Sequence, residues 1–277
     1  KVNREQDEAF IFSLVARARE VGFHSTSIDL IYGLPKQTKE SFAFTLKKVI
    51  ELSPDRLSVF NYAHLPNLFA AQRKIKDEDL PLAEEKLEIL QETITTLTTN
   101  GYQFIGMDHF AKPDDELAVA QRQGILHRNF QGYTTHEECD LLGMGVSAIS
   151  MLGDHYAQNE KVLKEYYARV NSEGHALWRG LSLTHDDCIR RDVIKTLICN
   201  FHLNFTEIEN LYQIDFQDYF KEDLALLAPM AEDGLVEISA EKIQVTPRGR
   251  LLIRNICMCF DTYLRNQMRQ RQFSRVI

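Results

Sequence analysis

Ser27-Ile28-Asp29-Leu30-Ile31-Tyr32-Gly33-Leu34-Pro35 is the stretch from which the fold is read. Its β-branched and aliphatic residues, closed by Gly-Leu-Pro, predict a short buried strand that stops at a loop before a helix starting near Thr38. Strand side chains alternate between faces, so Ile28, Leu30 and Tyr32 share one face while Asp29 shares the other with Ile31. That sets a carboxylate inside an apolar strand, where an unpaired charge is costly or stays protonated. Asp29 is therefore expected to meet a donor, a cation or a polar ligand. A strand-end Asp that caps the next loop or pairs with an arginine satisfies the same requirement.

Outward from that strand, residues 5–20 place Ala9, Phe10, Phe12, Leu14, Val15, Ala16 and Ala18 among charges at helical spacing, with Gly22 as a stop. On the other side, Thr38 can cap a helix through Leu52, with Glu40 and Ser41 in its first turn and Pro54 beyond its end. Arg56-Leu57-Ser58-Val59-Phe60-Asn61-Tyr62-Ala63-His64 predicts a second strand. Residues 80–100 predict a longer helix carrying Leu87, Leu90, Ile94 and Leu97, and Tyr102-Gln103-Phe104-Ile105-Gly106-Met107 a third strand running into Asp108-His109-Phe110. This alternation is the rhythm of parallel βα units, which open into a doubly wound sheet or curl into a barrel. Either arrangement places ligands at the carboxyl ends of the strands. Asp29, the segment from Asn61 to His64, and Asp108-His109 then converge, which favours a functional role for Asp29. No G-x-G-x-x-G or Walker lysine motif accompanies them, so a dinucleotide or nucleoside-triphosphate site lacks its usual support.

Further along, Gly143 and Gly145 permit a close approach of backbone to a ligand or to another strand. From about residue 160 the pattern changes. Ser182-Leu183-Thr184-His185-Asp186-Asp187 opens a helical run to Asn200, residues 223–233 predict another helix, and residues 234–246 read as a β-hairpin. Pro247-Arg248-Gly249-Arg250 starts a last long helix. Helices, a hairpin and a further helix suggest a winged-helix-like module, a fold that does not decide function. Arg248, Arg250, Arg254, Arg265, Arg269, Arg271 and Arg275 make the C-terminal stretch basic. They form a solvated or domain-facing charge run, or a site for a carboxylate-rich ligand.

The chain's 277 residues are 44% hydrophobic and 26% charged, enough for one large domain or two modest ones. No run approaches the roughly 20 apolar residues of a membrane helix, and no signal-peptide pattern opens the chain, so no membrane partner and a cytoplasmic location are expected. The net charge of −8 argues against nucleic acid as a partner. Cys139, Cys188, Cys199, Cys257 and Cys259 have no repeated spacing, and no metal site is expected among them. Cys257 and Cys259 in a helix would point about 200° apart, as buried thiols. The chain opens at Lys1 in polar, helix-like sequence, and a fragment of a longer protein is expected.

These segments together resemble the oxygen-independent coproporphyrinogen III oxidase family, also called coproporphyrinogen III dehydrogenase, of radical S-adenosylmethionine (SAM) enzymes. The resemblance covers essentially the whole chain. It is carried by Val2-Asn3-Arg4-Glu5-Gln6, Asp29 through Gln37, Asp55 through His64, Gly106-Met107-Asp108-His109-Phe110-Ala111, Asn129-Phe130-Gln131-Gly132-Tyr133-Thr134-Thr135 and Gly143 through Ser150. D-L-I-Y-G-L-P is shared with related radical SAM proteins, whereas the other segments in combination are more specific.

The resemblance implies an α/β fold. Residues 1–160 would be the C-terminal portion of a partial (β/α) radical SAM barrel, and residues 161–277 a mostly helical domain with a winged-helix-like hairpin. It implies SAM and a [4Fe-4S] cluster as cofactors. The family's C-x-x-x-C-x-x-C cluster motif lies upstream of these segments and does not occur in this sequence, so the fragment alone is expected to be inactive. The implied chemistry is removal of hydrogen from a propionate side chain of coproporphyrinogen III by a SAM-derived 5′-deoxyadenosyl radical. Loss of carbon dioxide and one electron leaves a vinyl group, twice per substrate, giving protoporphyrinogen IX in haem biosynthesis.

Carried over residue by residue, the resemblance implies SAM contacts at Arg4, Asp29, Ala63 and Ile149, and second-SAM or active-site contacts at Phe130 and Gln131. Arg4 suits a methionyl carboxylate and Asp29 ribose hydroxyls or an amino group. No catalytic residue is assigned; His64, Asp108 and His109 sit at strand ends and could approach substrate, but lone histidines there are more often structural hydrogen-bonders, and geometry must precede an acid–base role. Coproporphyrinogen III, an electron donor and an electron acceptor are the implied partners, and a monomer is expected. A radical SAM-fold haem chaperone, which binds and transfers haem, is the alternative reading. A winged-helix transcription regulator is a third.

Overall fold

Sharp helix boundaries frame the strands. The computed structural model describes residues 5–267, and contacts divide the chain into a unit reaching to Arg122 and a unit of Gln123–Leu264. In the first, Asp7 caps α1 (Glu8–Glu20) by accepting from the Phe10 amide at 2.7 Å. After β1 (Ser27–Tyr32), Thr38 and Ser41 form a reciprocal capping box that starts α2 (Lys39–Leu52). Then come β2 (Arg56–Asn61), α3 (Ala83–Thr99), β3 (Gln103–Gly106), β4 (His109–Ala111) and α4 (Glu116–Gln123).

β1 and β2 run parallel, with Ile28 opposite Leu57, Leu30 opposite Val59, Asp29 opposite Ser58 and Ile31 opposite Phe60. One face of this pair, with Tyr32, Leu57 and Val59, packs on Phe42, Leu46 and Val49 of α2 and on Ile89, Leu90 and Leu97 of α3. Each fully buried aliphatic side chain contributes about 1.5–3 kcal/mol.

The third strand does not take the expected parallel place beside β2. The sheet order is β1-β2-β4-β3, with β4 antiparallel to both of its neighbours. Gly106 (φ 145°) and Met107 (φ 54°) supply the left-handed backbone that reverses the chain. Phe110 and Ala111, both buried, then give β4 the apolar character of a central strand, and the Phe110 ring packs 5.1 Å from Phe104.

In the second unit β5 (His127–Asn129) pairs with β6 (Gly132–Thr134). β7 (Ile149–Leu152), β8 (His155–Asn159) and β9 (Leu177–Ser182) form an antiparallel sheet, with α5 (Leu163–Glu173) between the last two in sequence. This sheet straddles residue 160. The whole of this sheet lies in the unit that begins at Gln123.

α6 (His185–Asn200), opened by a Thr184–Asp187 capping box, leads to β10 (His202–Asn204), α7 (Phe205–Tyr212), α8 (Phe216–Tyr219) and α9 (Lys221–Glu232). The hairpin of β11 (Val236–Ile238) and β12 (Lys242–Val245) follows, and β10 joins it as a third strand in the order β10-β12-β11. Phe205 stacks on Phe216 at 4.1 Å, Phe216 lies 4.6 Å from Phe220, and Phe220 lies 5.6 Å from Phe260, an aromatic chain at the centre of the module. The last helix is broken rather than long. A 3-10 turn (Gly249–Leu252) precedes α10 (Ile253–Met258), and α11 (Thr262–Gln267) starts again after Cys259-Phe260-Asp261.

Candidate functional site

Across the open face of the first unit's sheet, the register aligns Asp29 of β1 with Ser58 of β2, and Ser58 with His109 of β4. Above this polar row, Ile31 and Phe60 form an apolar pair, and the Phe60 ring meets the His109 ring edge-on at 6.1 Å. Asp29 is exposed, and no hydrogen bond or ion pair from the described residues engages its carboxylate. The expected buried, satisfied carboxylate is thus corrected: β1 buries only the face that carries Ile28, Leu30 and Tyr32. What remains is a solvated acceptor beside a hydroxyl and an imidazole.

The loop after β1 is fixed by Gln37, whose carbonyl oxygen accepts from the Gly33 and Leu34 amides at 2.6 and 3.3 Å while its amide nitrogen donates to Ile31. Next to it the chain leaving β2 is tied by the Tyr62 amide to the Tyr32 carbonyl at 2.8 Å. Ala63 is exposed, and its carbonyl accepts from Gln72 at 3.0 Å. His64 approaches the Tyr62 hydroxyl at 3.5 Å and Asp77 at 3.4 Å, as a structural hydrogen-bonder would.

The other predicted site residues fall in the second unit. Phe130 is 49% exposed, sets its ring edge-on against Tyr156 at 5.1 Å, and lines a cavity of about 580 Å³. Gln131 is exposed, its amide donating to the Asn129 side chain. Ile149 in β7 packs on Gly143, where an added Cβ would lie 2.7 Å from the Ile149 carbonyl oxygen. Asn159 donates to the Gly143 and Gly145 carbonyls. Gly143 serves a backbone-to-backbone approach, whereas Gly145, with nothing within 4 Å of an added Cβ, supplies a positive φ of 100°. Arg4, Arg269, Arg271 and Arg275 lie outside the described residues.

The cavity has an apolar wall with cations set in it. One face of α6 contributes Arg191, Ile194, Lys195 and Ile198, and β5 contributes Arg128, whose guanidinium sits 5.2 Å from the Tyr133 ring. Burial, reinforced by the Arg191 charge, pushes the Lys195 amine below the usual lysine range. Ser58, Arg128, Arg191 and Lys195 are absent from the residues singled out by sequence. The only signal for the last two was their four-residue spacing on one helical face.

Among the described residues no group of three or more His, Cys, Asp or Glu could hold a metal ion. Cys199, Cys257 and Cys259 are buried, and burial pushes the Cys199 thiol up to about 12, which makes it a poor ligand.

The HemN C-terminal domain family matches residues 183–252, the stretch from α6 to the 3-10 turn. An oxygen-independent coproporphyrinogen III oxidase from Escherichia coli K12 is 73% identical over 276 residues, covering all of this chain and 60% of the relative. One from Thermostichus vulcanus is 48% identical and is covered over 85% of its length. The solved structure described as "Coproporphyrinogen III oxidase (HemN) from Escherichia coli is a Radical SAM enzyme" superposes with a TM-score of 0.92 at 73% identity, over 95% of this chain and 60% of that one.

The architecture is the C-terminal part of a partial (β/α) radical SAM barrel followed by a mostly helical domain with a winged-helix-like hairpin. The chain belongs to the oxygen-independent coproporphyrinogen III oxidase family. It spans about 60% of the length of the E. coli relative.

Proposed function

We propose that the protein carrying these residues performs the oxygen-independent oxidative decarboxylation of coproporphyrinogen III to protoporphyrinogen IX in haem biosynthesis. The observation that carries this reading is the 73% identity over the whole chain to an oxidase of that name. The cytoplasm, a monomeric state, and an electron donor and acceptor that neither substrate nor SAM provides belong to the same reading. No helix among the described residues is long and apolar enough to cross a membrane, which is compatible with it.

SAM supplies the one-electron oxidising chemistry when bound with a [4Fe-4S] cluster. The sheet face around Asp29 fits a nucleoside: the Asp29 carboxylate is exposed and engaged by no described residue, the buried Ser58 sits in register beside it, and His109 follows in register with Ser58. Asp29 would accept from ribose hydroxyls or the amino group, with Ile31 and Phe60 giving an apolar floor. Ala63 and Ile149 would pack on the adenine, Arg4 would pair with the methionyl carboxylate, and Phe130 and Gln131 would meet a second SAM or the substrate. The described residues do not fit the cluster, since no ligand set converges among them. On this reading its ligands would come from residues outside this sequence, and residues 1–277 alone are expected to be inactive.

The test is anaerobic turnover by the full-length protein with its cluster reconstituted. Coproporphyrinogen III and SAM should yield protoporphyrinogen IX and carbon dioxide. Haem binding without carbon dioxide release would overturn the proposal in favour of a haem-transfer protein. Asp29→Ala should abolish SAM binding while leaving thermal stability unchanged, because no hydrogen bond or ion pair from the described residues engages the carboxylate. Unaltered SAM affinity would remove Asp29 from the site.

A further inference from the structure

The cavity of the second unit contains charges that the fold itself does not use. Its acids are already engaged: Asp187 accepts from the Thr184 amide and hydroxyl and from the Tyr263 hydroxyl, and Asp261 accepts from the Leu264 amide. Arg190 is saturated by Asp186, Asp223 and the Phe260 carbonyl. Arg191 reaches Asp154 and Asp192 only at 3.4 Å. Lys195 and Arg128 form no salt bridge with a carboxylate among the described residues, although both line the cavity.

Half-buried cations that form no salt bridge are unfavourable in a folded protein unless something else recovers the lost hydration. The remaining wall is aromatic and aliphatic, with Phe130, Tyr156, Met151, Leu181 and Ile194. A ligand that matches both features has a broad apolar body and carboxylate arms.

We propose that this cavity receives a propionate arm of the porphyrinogen, with Lys195 and Arg128 binding its carboxylate and Phe130 and Tyr156 packing on the adjoining ring. The inference rests on the functional reading above and adds the residues that hold the substrate's acid groups. Lys195 contributes a point charge and Arg128 a planar fork, so together they can bind one carboxylate from two directions. A methionyl carboxylate carries the same chemistry. Cavity breadth and the apolar wall favour the tetrapyrrole.

The experiment uses the full-length protein and two ligands, coproporphyrin III, followed by fluorescence, and SAM, followed by calorimetry. Lys195→Met and Arg128→Gln should each weaken coproporphyrin III on the order of tenfold, as loss of one charge-assisted contact does. Lys195→Arg should stay near wild type, SAM affinity should not change, and the tetramethyl ester should bind all proteins alike. In the wild-type protein, coproporphyrin III should also protect Lys195 from reductive methylation, a readout that needs no variant. Unchanged porphyrin affinity in both variants with Lys195 left unprotected, or a loss confined to SAM, overturns the cavity assignment while turnover by the wild-type protein leaves the function standing. A wild-type protein that neither binds coproporphyrin III nor converts its porphyrinogen overturns both.

Discussion

The Arg190 guanidinium donates to the Asp223 carboxylate at 2.8 Å, with only 13% and 2% of the two side chains exposed. The same group donates to Asp186 at 2.8 Å and to the Phe260 carbonyl at 3.1 Å, and its face lies 5.3 Å from the Phe220 ring. Burial works against the charge, but the hydrogen bonds to Asp223 and Asp186 outweigh it and raise the Arg190 pKa. One side chain thus ties α6 to α9 and to the chain that breaks before α11.

Removing one partner of such a pair strands the other in the interior. Asp223→Ala should therefore cost about 3–5 kcal/mol, read as a lower midpoint in urea unfolding. Asp223→Asn keeps an acceptor and should cost less. A loss under about 1 kcal/mol for the alanine variant would show that solvent reaches Arg190 freely.

In the first unit Asp55 accepts from the Thr26 amide at 2.8 Å and hydroxyl at 3.0 Å and from the Lys112 ammonium at 3.2 Å. Burial opposes the charged carboxylate, yet these donors prevail and lower its pKa. The unfolded chain then binds the proton more readily than the native one, so this stability is fully present above the ordinary carboxylate value of about 3.9. It is lost as pH falls through the lowered native value. Asp55→Asn should be less stable than wild type at pH 7, by about 1–3 kcal/mol, and the gap should narrow in acid. Parallel denaturation curves from pH 7 down to pH 3 check this; a gap that widens in acid reverses the sign.

Much of this architecture is legible in the chain. Thr38 with Ser41 and Thr184 with Asp187 announce helix starts by local hydrogen bonding, and the alternation in Ile28-Asp29-Leu30 names the buried face of β1. The insertion of β4 is not legible, because two residues of left-handed backbone at Gly106-Met107 redirect the chain without changing its apolar pattern. Nor is the exposure of Asp29, since strand periodicity says which residues share a face and not whether anything covers it. The cavity cations escaped for a related reason. Arg190, Arg191 and Lys195 look alike in sequence, and only the positions of Asp186 and Asp223 separate the neutralised arginine from the lysine that forms no salt bridge among the described residues.

Gly249 carries a sharp packing test. A Cβ at this position would sit 1.9 Å from the Leu235 carbonyl oxygen and 3.1 Å from Val245, so the backbone of the β11–β12 hairpin touches the following 3-10 turn directly. Because the obstacle is backbone, no rotamer relieves it. Gly249→Ala should destabilise the second unit by at least the roughly 1–3 kcal/mol of ordinary overpacking, and Gly234→Ala, with nothing within 4 Å of the added carbon but a positive φ, should cost about 1 kcal/mol. Thermal melting of the two variants side by side gives the order. Equal losses would mean that the hairpin moves away from the turn at little expense.

Lys195 closes the argument between stability and binding. Burial is the main cause of its lowered pKa, the Arg191 charge adds to it, and the charges of Asp192, Glu137 and Cys199 only partly offset the two. The native state therefore releases this proton at lower pH than the unfolded chain does. The penalty is complete below the native pKa, fades as pH rises through that value, and is gone above the unfolded value of about 10.4. Lys195→Met, which keeps the volume and removes the charge, should raise the urea midpoint at pH 7 and converge with wild type near pH 10. A destabilised methionine variant at pH 7 would show that the amine has a partner in the fold. A stabilised one that has lost porphyrin affinity is what a site retained for binding at the expense of stability requires.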